Sequence, residues 1–115
     1  MILSVCLVPN YHGVRIPSPQ TLAKYGLSMT EWKKMCREQD GKCAICRRDD
    51  VRLVIDHEHI AGWKHMLPTE RKKYVRGLIC DRENHWILSR YATVWLLEEA
   101  AKYLLRYEER RNDVV

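Results

Sequence analysis

The stretch that decides the fold lies at residues 51–59 and reads Val-Arg-Leu-Val-Ile-Asp-His-Glu-His. Its first part is rich in β-branched and apolar side chains, which predicts a short strand over residues 51–55. The strand leads into a carboxylate and an imidazole at Asp56 and His57. Successive strand residues point to opposite faces of a sheet, but at a strand end beside a loop these two side chains can serve one site from two sides.

Asp56 and His57 are residue types that suit metal-assisted hydrolysis of a phosphodiester. Asp56 offers a hard oxygen to Mg²⁺ or Mn²⁺, and Asn84 offers an amide oxygen to the same ion, which keeps several waters and needs few protein ligands. An imidazole titrates close to neutral pH, so His57 is the candidate general base for an attacking water. The alternative, a surface ion pair, is disfavoured because the pair lies between thiol groups and precedes Asn84. His59 either binds phosphate or orients the site, or is a solvated loop residue.

Cysteines on both sides of this stretch form a candidate zinc site. Cys43 and Cys46 are separated by two residues on a predicted turn, and Cys80 follows later in the chain. A four-thiol site would have its fourth cysteine at position 83, which is Glu83. A carboxylate oxygen is a less common zinc ligand, and His85 is the alternative. Otherwise the site is open, or the thiols pack without a metal.

The elements around these residues predict an α+β fold. Ser28 and Glu31 form a capping box that begins a helix over residues 28–39. Residues 74–79 predict a second short strand, which leads through Cys80 into a helix that begins near residue 81. The order strand, loop, strand, helix is a ββα unit.

The 115 residues suit a single domain. We expect an N-terminal arm of short strands or irregular structure over residues 1–19, a core with a preceding helix over residues 20–88, and a long helix over residues 89–111 with Ser89 as its N-cap. The apolar belt of this long helix is wider than a core stripe needs. It therefore forms an interface with a second copy or another partner, or it packs onto the N-terminal helix.

Charge favours a polyanionic partner without proving one. The chain carries 20 Lys and Arg against 15 Asp and Glu, a formal charge of +5 with a pI near 9.0. The loop over residues 60–73 is polar and basic, and solvated charge is the alternative for each of its cations. Arg76 either contacts a nucleic-acid backbone or supports the knuckle, and Trp63 is the candidate for base stacking. The candidate phosphate contacts are Lys64, Lys72, Lys73 and Arg76.

Cysteine count and hydropathy favour an intracellular setting. Five cysteines is an odd number, which argues against a disulfide framework. Cys6 and Cys36 have no partner at ligand spacing and are expected to be small buried side chains. No run approaches the roughly 20 apolar residues of a membrane span, and the start lacks the features of a signal peptide. We expect a cytoplasmic protein without membrane association.

Together these motifs resemble the recombination endonuclease VII family, phage-type members of the HNH or His-Me finger nucleases. The resemblance covers roughly residues 22–90 and is carried by Tyr-Gly-Leu-Ser at 25–28, Gly-Lys-Cys-Ala-Ile-Cys at 41–46, Ile-Asp-His-Glu-His at 55–59, and Val-Arg-Gly-Leu-Ile-Cys at 75–80 with Asn84. It implies a ββα-metal fold, His57 as general base, and Asp56 and Asn84 as ligands of catalytic Mg²⁺ or Mn²⁺.

The resemblance also implies Cys43, Cys46 and Cys80 as ligands of a structural zinc. The sequence departs from the family in having Glu83 where a fourth cysteine is expected, and in a longer, more basic segment over residues 60–73. We predict a phage or prophage DNA endonuclease that acts in the host cell. Some members of the family resolve branched or recombination DNA, but the C-terminal helix does not match closely enough to carry this specificity over. The alternatives are a non-catalytic zinc-stabilised module that binds DNA or protein, and an accessory nuclease subunit of a phage assembly.

Overall fold

The computed structural model describes residues 9–113, which form two short antiparallel sheets and five α-helices. The strands are β1 (Asn10–Tyr11), β2 (Val14–Arg15), β3 (Leu53–His57) and β4 (Val75–Cys80). The helices are α1 (Pro19–Lys24), α2 (Met29–Glu38), α3 (Pro68–Arg71), α4 (Asp81–Trp86) and α5 (Val94–Asp113). β1 pairs with β2, and β3 pairs with β4. The predicted mixture of strands and helices is confirmed, and β3, β4 and α4 follow one another in the predicted order.

The N-terminal arm contains a hairpin in its described part. β1 and β2 pair around a turn at His12 and Gly13, whose φ angles of 55° and 81° lie in the left-handed region. The first residue of β2, Val14, is buried in the core. Both short strands lie within the expected arm of residues 1–19, whereas Cys6 lies outside the described residues.

The capping box predicted at the start of α2 is confirmed. Ser28 Oγ accepts a hydrogen bond from the Glu31 N–H at 3.1 Å, and the Glu31 carboxylate accepts one from the Ser28 N–H at 2.9 Å. These bonds satisfy two donors that a helix leaves free in its first turn. The chain leaves the helix near Asp40, where φ is 56°. Trp32 and Cys36 bury one face of α2 in the core.

Two groups of buried side chains share the sheet of β3 and β4. Leu78 and Ile79 are neighbours in β4, so their side chains point to opposite faces. Leu78 belongs to the main core, and Ile79 belongs to a smaller group around two cysteines. The main core consists of Val14, Leu22, Leu27, Trp32, Cys36, Ile55 and Leu78. The smaller group consists of Cys43, Ile79 and Cys80.

The segment between the two central strands is more ordered than predicted. We expected a polar loop over residues 60–73, but it contains α3 and two short 3₁₀ helices, Trp63–His65 and Lys72–Tyr74. Pro68 begins α3, a position that suits proline because the first helical N–H has no intrahelical acceptor. The segment is therefore a folded flap beside the end of β3.

The long C-terminal helix begins later than predicted. We expected it over residues 89–111 with Ser89 as the N-cap, but α5 starts at residue 94. Thr93 is the cap, because its Oγ1 accepts a hydrogen bond from a backbone N–H of the first turn at 3.0 Å. The apolar side chains of α5 remain exposed, with Trp95 at 68% and Tyr103 at 67%. The alternative that this belt packs onto the N-terminal helix is wrong. Among residues 9–113, no helix has the length and apolar character that crossing a membrane requires.

Candidate active site and metal centre

The pairing of the two central strands is irregular at Asp56 and His57. Asp56 pairs with Gly77, but the next residue, His57, pairs with Val75. Arg76 is therefore an extra residue in β4 and forms a β-bulge. A bulge bends the strand and changes the direction of neighbouring side chains. We expected the strand to end at residue 55, but β3 continues to His57. Asp56 and His57 therefore lie within the strand, next to this bulge.

The Asp56 carboxylate is buried and paired with a guanidinium. Only 3% of Asp56 is exposed. The Nε and Nη2 atoms of Arg76 lie 2.7 and 3.0 Å from its two oxygens, which is a bidentate arrangement. The hydrogen bonds to Asp56 raise the pKa of Arg76. Arg76, a candidate for contact with a nucleic-acid backbone, is thus engaged within the protein.

The Asp56 carboxylate keeps acceptor positions that a hard divalent ion could use. A carboxylate has about four lone-pair positions, and Arg76 uses two of them, so two remain for a cation. Asn84 is half-buried on α4, the helix that packs on both central strands. In the described part of the chain, no group of three or more His, Cys, Asp or Glu side chains gathers around Asp56.

The His57 ring is held on several sides. Its Nδ1 lies 2.9 Å from the Glu58 carbonyl oxygen. Because a carbonyl oxygen can only accept, Nδ1 carries the proton and Nε2 keeps the lone pair of the neutral ring. The ring is stacked on Trp63 with centroids 3.8 Å apart and planes 5° apart. His59 and Tyr25 lie edge-on and tilted beside it, at 5.4 and 5.8 Å.

Trp63 is the candidate base stacker from the sequence, but one face of its indole is covered by His57. Arg71 also lies close, with its guanidinium carbon 5.3 Å from the Trp63 ring centroid. Stacking of a nucleic-acid base on the face toward His57 is therefore excluded in this conformation. The indole instead stacks on His57, the candidate general base.

The candidate phosphate contacts differ in their surroundings. A cleft of about 440 Å³ opens beside His57, and His59, Lys64 and Arg90 are among its lining residues. Lys73 is exposed. Lys72 is exposed too, but its ammonium pairs with Glu31 at the start of α2. Lys64 is thus the predicted lysine that lines the cleft beside His57.

A second cluster lies at the other end of the hairpin. Single ligand atoms of Cys43, Cys46, Cys80 and Glu83 all lie within 4.8 Å of one another. Glu83 is 3% exposed, and its carboxylate is 2.7 Å from Cys80 Sγ and 3.3 Å from Cys43 Sγ. Three thiols and one carboxylate around a common centre are a donor set that suits zinc.

Helix geometry explains why Glu83 joins the thiols and His85 does not. Cys80 is the N-cap of α4, and its Sγ accepts a hydrogen bond from the Glu83 N–H at 3.4 Å. Glu83 is the third helical residue, whose side chain reaches back to the N-cap as in a capping box. His85 lies further along the helix and is exposed.

Hydrogen bonds to sulfur and to the carboxylate fix the ionisation of the cluster. Burial works to raise the pKa of Cys43, but N–H groups of Cys46, Ile45 and Cys80 outweigh it and the pKa is lowered. Hydrogen bonds from the Cys46 and Cys80 thiols lower the pKa of Glu83 to about 2. The same carboxylate raises the pKa of Cys46 to about 11. Glu83 is therefore already ionised before any of the thiols in the cluster loses its proton.

Gln39, at the end of α2, is connected by hydrogen bonds to β4 and to the segment before Cys43, a role that was not predicted from the sequence. Its Nε2 donates to the carbonyl oxygens of Lys42 and Leu78 at 2.9 and 2.8 Å. Its Oε1 accepts from the Leu78 N–H at 3.0 Å. One side chain thus connects the end of α2, the segment before Cys43 and the outer edge of β4. The signal in the sequence is an amide on the apolar stripe of α2.

Known proteins with similar sequences come from phages. The family model described as recombination endonuclease VII matches residues 18–106. The Gene 59 protein of Mycobacterium phage D29 is 33% identical over 87 residues, which is 72% of this chain and 46% of that protein. The Gene 59 protein of Mycobacterium phage L5 is 32% identical over 88 residues, 73% of this chain and 47% of that protein. The chain spans about half the length of these curated relatives. No solved structure matches it.

The family match begins before α1 and extends into α5, so it includes both clusters described above. The chain belongs to the recombination endonuclease VII family.

Proposed function

We propose that the protein is a metal-dependent DNA endonuclease with a His-Me finger core. The observation that carries this proposal is that a buried carboxylate, Asp56, and a half-exposed imidazole, His57, follow each other in β3 at the bulge of the central hairpin. Asp56 and Asn84 would hold Mg²⁺ or Mn²⁺, while His57 acts as the general base. Family membership supports DNA as the substrate. Branched or recombination DNA is the substrate class within this proposal.

Each of the residues around His57 has its own role in the proposed hydrolysis. His57 Nε2 takes the proton of the attacking water while the Glu58 carbonyl retains the hydrogen on Nδ1. His59 and Lys64 line the adjoining cleft and bind phosphate oxygens there. Lys73 extends this cationic rim, and Lys72 could join it only by leaving its ion pair with Glu31. When bound, the divalent ion supplies stabilisation of the charge that develops on the phosphate and the leaving oxygen.

The cysteine cluster has a structural role in this proposal. Cys43, Cys46, Cys80 and Glu83 would hold zinc with all four positions filled by the protein, which is typical of structural sites. Zinc at this centre joins the turn after α2 to the start of α4, and so holds β4 against β3. One zinc per chain by elemental analysis of protein purified without chelator is the expected result, and its absence would contradict this role.

A cleavage assay with a matched pair of histidine variants tests the catalytic assignment. Supercoiled plasmid and a four-way DNA junction are incubated with the protein in Mg²⁺ or Mn²⁺. The His57→Asn variant is expected to lose activity by about 100-fold or more, since a general base contributes that much. The control is His12→Asn, because His12 is exposed on the N-terminal hairpin and asparagine tolerates its positive φ. Equal cleavage by the wild type and His57→Asn would refute the assignment.

A non-catalytic DNA- or protein-binding module is the second candidate function. The bidentate bond from Arg76 to Asp56 favours it, because both carboxylate oxygens already have a cationic partner. This candidate predicts DNA binding without cleavage under any divalent ion. It also predicts that Asp56→Asn and Asn84→Ala leave the binding constant unchanged. Cleavage that both substitutions abolish would eliminate it.

A homodimer through α5 stays a prediction. The exposed apolar side chains of α5 are the feature that supports it. Light scattering of the purified chain distinguishes a dimer from a monomer.

A further inference from the structure

We infer that Trp63 is a positioning residue that fixes the plane of the His57 ring, and that Arg71 holds Trp63 in place for this purpose. The inference rests on the proposed role of His57 as the general base. It concerns a tryptophan in the flap between the two central strands, outside the motifs that resemble the family. The relevant contacts are those of the indole, the guanidinium and the backbone of the flap.

The stacking distance leaves little freedom to the imidazole. The centroids of His57 and Trp63 are 3.8 Å apart and the rings are nearly parallel, with 5° between their planes. Carbon atoms reach their best separation at about 3.5–4.0 Å. Turning the imidazole about its bond to Cβ would drive a ring edge into the indole. The indole therefore selects one ring plane, and the Glu58 carbonyl selects the direction of Nδ1 within that plane.

Arg71 anchors the indole through the backbone on which it sits. Its Nε and Nη2 donate to the carbonyl oxygens of Trp63 and Lys64, at 3.1 Å each. Its Nη1 donates to the carbonyl oxygen of Lys24 at the end of α1, at 3.2 Å. The guanidinium thus makes two hydrogen bonds within the flap and one to the end of α1. Arg71 belongs to the basic flap, but these bonds give it an internal role rather than a place in a phosphate-binding rim.

Trp63 has little structural role apart from this contact. It is half-exposed and belongs to neither group of buried core side chains. Tyr25, 6.0 Å from its centroid, is tilted beside both Trp63 and His57. Among the described residues, His57 Nε2 makes no hydrogen bond, whereas Nδ1 does. Stacking, the Glu58 carbonyl and the tilted Tyr25 therefore constrain the imidazole and leave its basic nitrogen available.

Two substitutions separate ring positioning from base stacking. Trp63→Leu keeps an apolar side chain but removes the flat face, and Trp63→Phe restores a flat face. For Trp63→Leu we expect kcat for DNA cleavage to fall about 10–100-fold with KM nearly unchanged, because misplacing a reacting group has an effect of this size. Trp63→Phe is expected to recover most of kcat. A rise in KM with unchanged kcat would overturn the inference in favour of base stacking.

Ring resonances of His57 provide a readout that does not depend on activity. A ring stacked on an indole has its proton resonances shifted upfield, and ¹⁵N shifts identify the nitrogen that carries the proton. In the wild type we expect upfield-shifted His57 protons and one tautomer, protonated at Nδ1. Trp63→Leu should abolish the upfield shift, and Trp63→Phe should retain part of it. A wild-type His57 without this shift would overturn the inference.

The two experiments distinguish failure of the inference from failure of the proposed function. Wild-type protein that shows the stacked, single-tautomer His57 but cleaves no DNA supports the ring geometry and refutes the nuclease assignment. The control is Trp86→Leu, because Trp86 is 74% exposed on α4 and lies outside the cleft beside His57. It is expected to leave both kcat and the His57 resonances unchanged. Loss of kcat in Trp86→Leu equal to that in Trp63→Leu would overturn the inference.

Discussion

Replacing Gln39 with leucine tests how strongly one amide joins the helical layer to the hairpin that carries both clusters. The Gln39 side chain makes three hydrogen bonds of 2.8–3.0 Å, two with the backbone of Leu78 and one with Lys42. Leucine has a similar size and a similar helix propensity, so the substitution removes mainly these bonds.

The cost of this substitution follows from what each lost bond leaves behind. The Leu78 carbonyl retains a hydrogen bond from the Ala44 N–H at 3.1 Å. The Lys42 carbonyl belongs to a half-exposed residue, so water can replace the lost donor. The Leu78 N–H has no such substitute, because Leu78 is 1% exposed. A buried unsatisfied donor costs about 1–3 kcal/mol, and each other lost bond costs about 0.5–1 kcal/mol. We expect the free energy of unfolding to fall by about 2–5 kcal/mol.

Urea unfolding of zinc-saturated protein measures this loss. With an m-value of about 1.5 kcal/mol/M for a chain of this size, the midpoint should fall by roughly 1.3–3 M with m unchanged. The control is Gln20→Leu, because Gln20 is exposed on α1. It should change the free energy by less than about 0.5 kcal/mol, as is usual at the surface. Equal midpoints for the two variants would refute the reasoning. So would undiminished protection of the Leu78 N–H from hydrogen exchange.

Three further substitutions test other parts of the structure. Gly26→Ala should lower the free energy of unfolding by about 2 kcal/mol or more in a urea titration. The φ angle of Gly26 is +70°, and a Cβ there would overlap the Pro68 carbonyl. An unchanged midpoint would contradict this close approach. Arg76→Met should cost about 2–3 kcal/mol in EDTA by leaving the buried Asp56 unpaired, with part recovered in Mn²⁺; equal stability in EDTA argues against the ion pair. Glu83→Gln should weaken zinc binding about tenfold or more in competition with a colorimetric chelator, and unchanged affinity would exclude Glu83 as a ligand.

Features that depend on near neighbours in the chain were predictable from the sequence. The capping box of Ser28 and Glu31 needs only three residues of spacing, so α2 was predicted almost to its ends. The same rule would have chosen between Glu83 and His85. Because Cys80 caps α4, the third helical residue turns back toward its sulfur and the fifth cannot. Ligand spacing alone leaves this choice open, because it carries no information on helix direction.

Features that depend on strand register were not predictable in this way. The bulge at Arg76 changes the pairing of Asp56 and His57, but no local pattern marks the extra residue. The stack of Trp63 on His57 needs the flap to fold back over the end of β3. The start of the long helix was placed at Ser89 rather than Thr93, because both residue types cap helices well. Only packing and hydrogen bonds of the complete fold decide such cases.

The cysteine cluster and the candidate active site lie at opposite ends of one strand pair, so the geometry of one site depends on the other. Cys80 pairs with Leu53 at one end of the ladder, and Val75 pairs with His57 at the other. In a two-stranded sheet, a slip of one residue moves every side chain to the opposite face. Whatever holds Cys80 in place therefore also acts as a stop against sliding of β4. Loss of the contacts at Cys80 would therefore allow β4 to slide, and this would change the surroundings of His57 at the far end of the ladder.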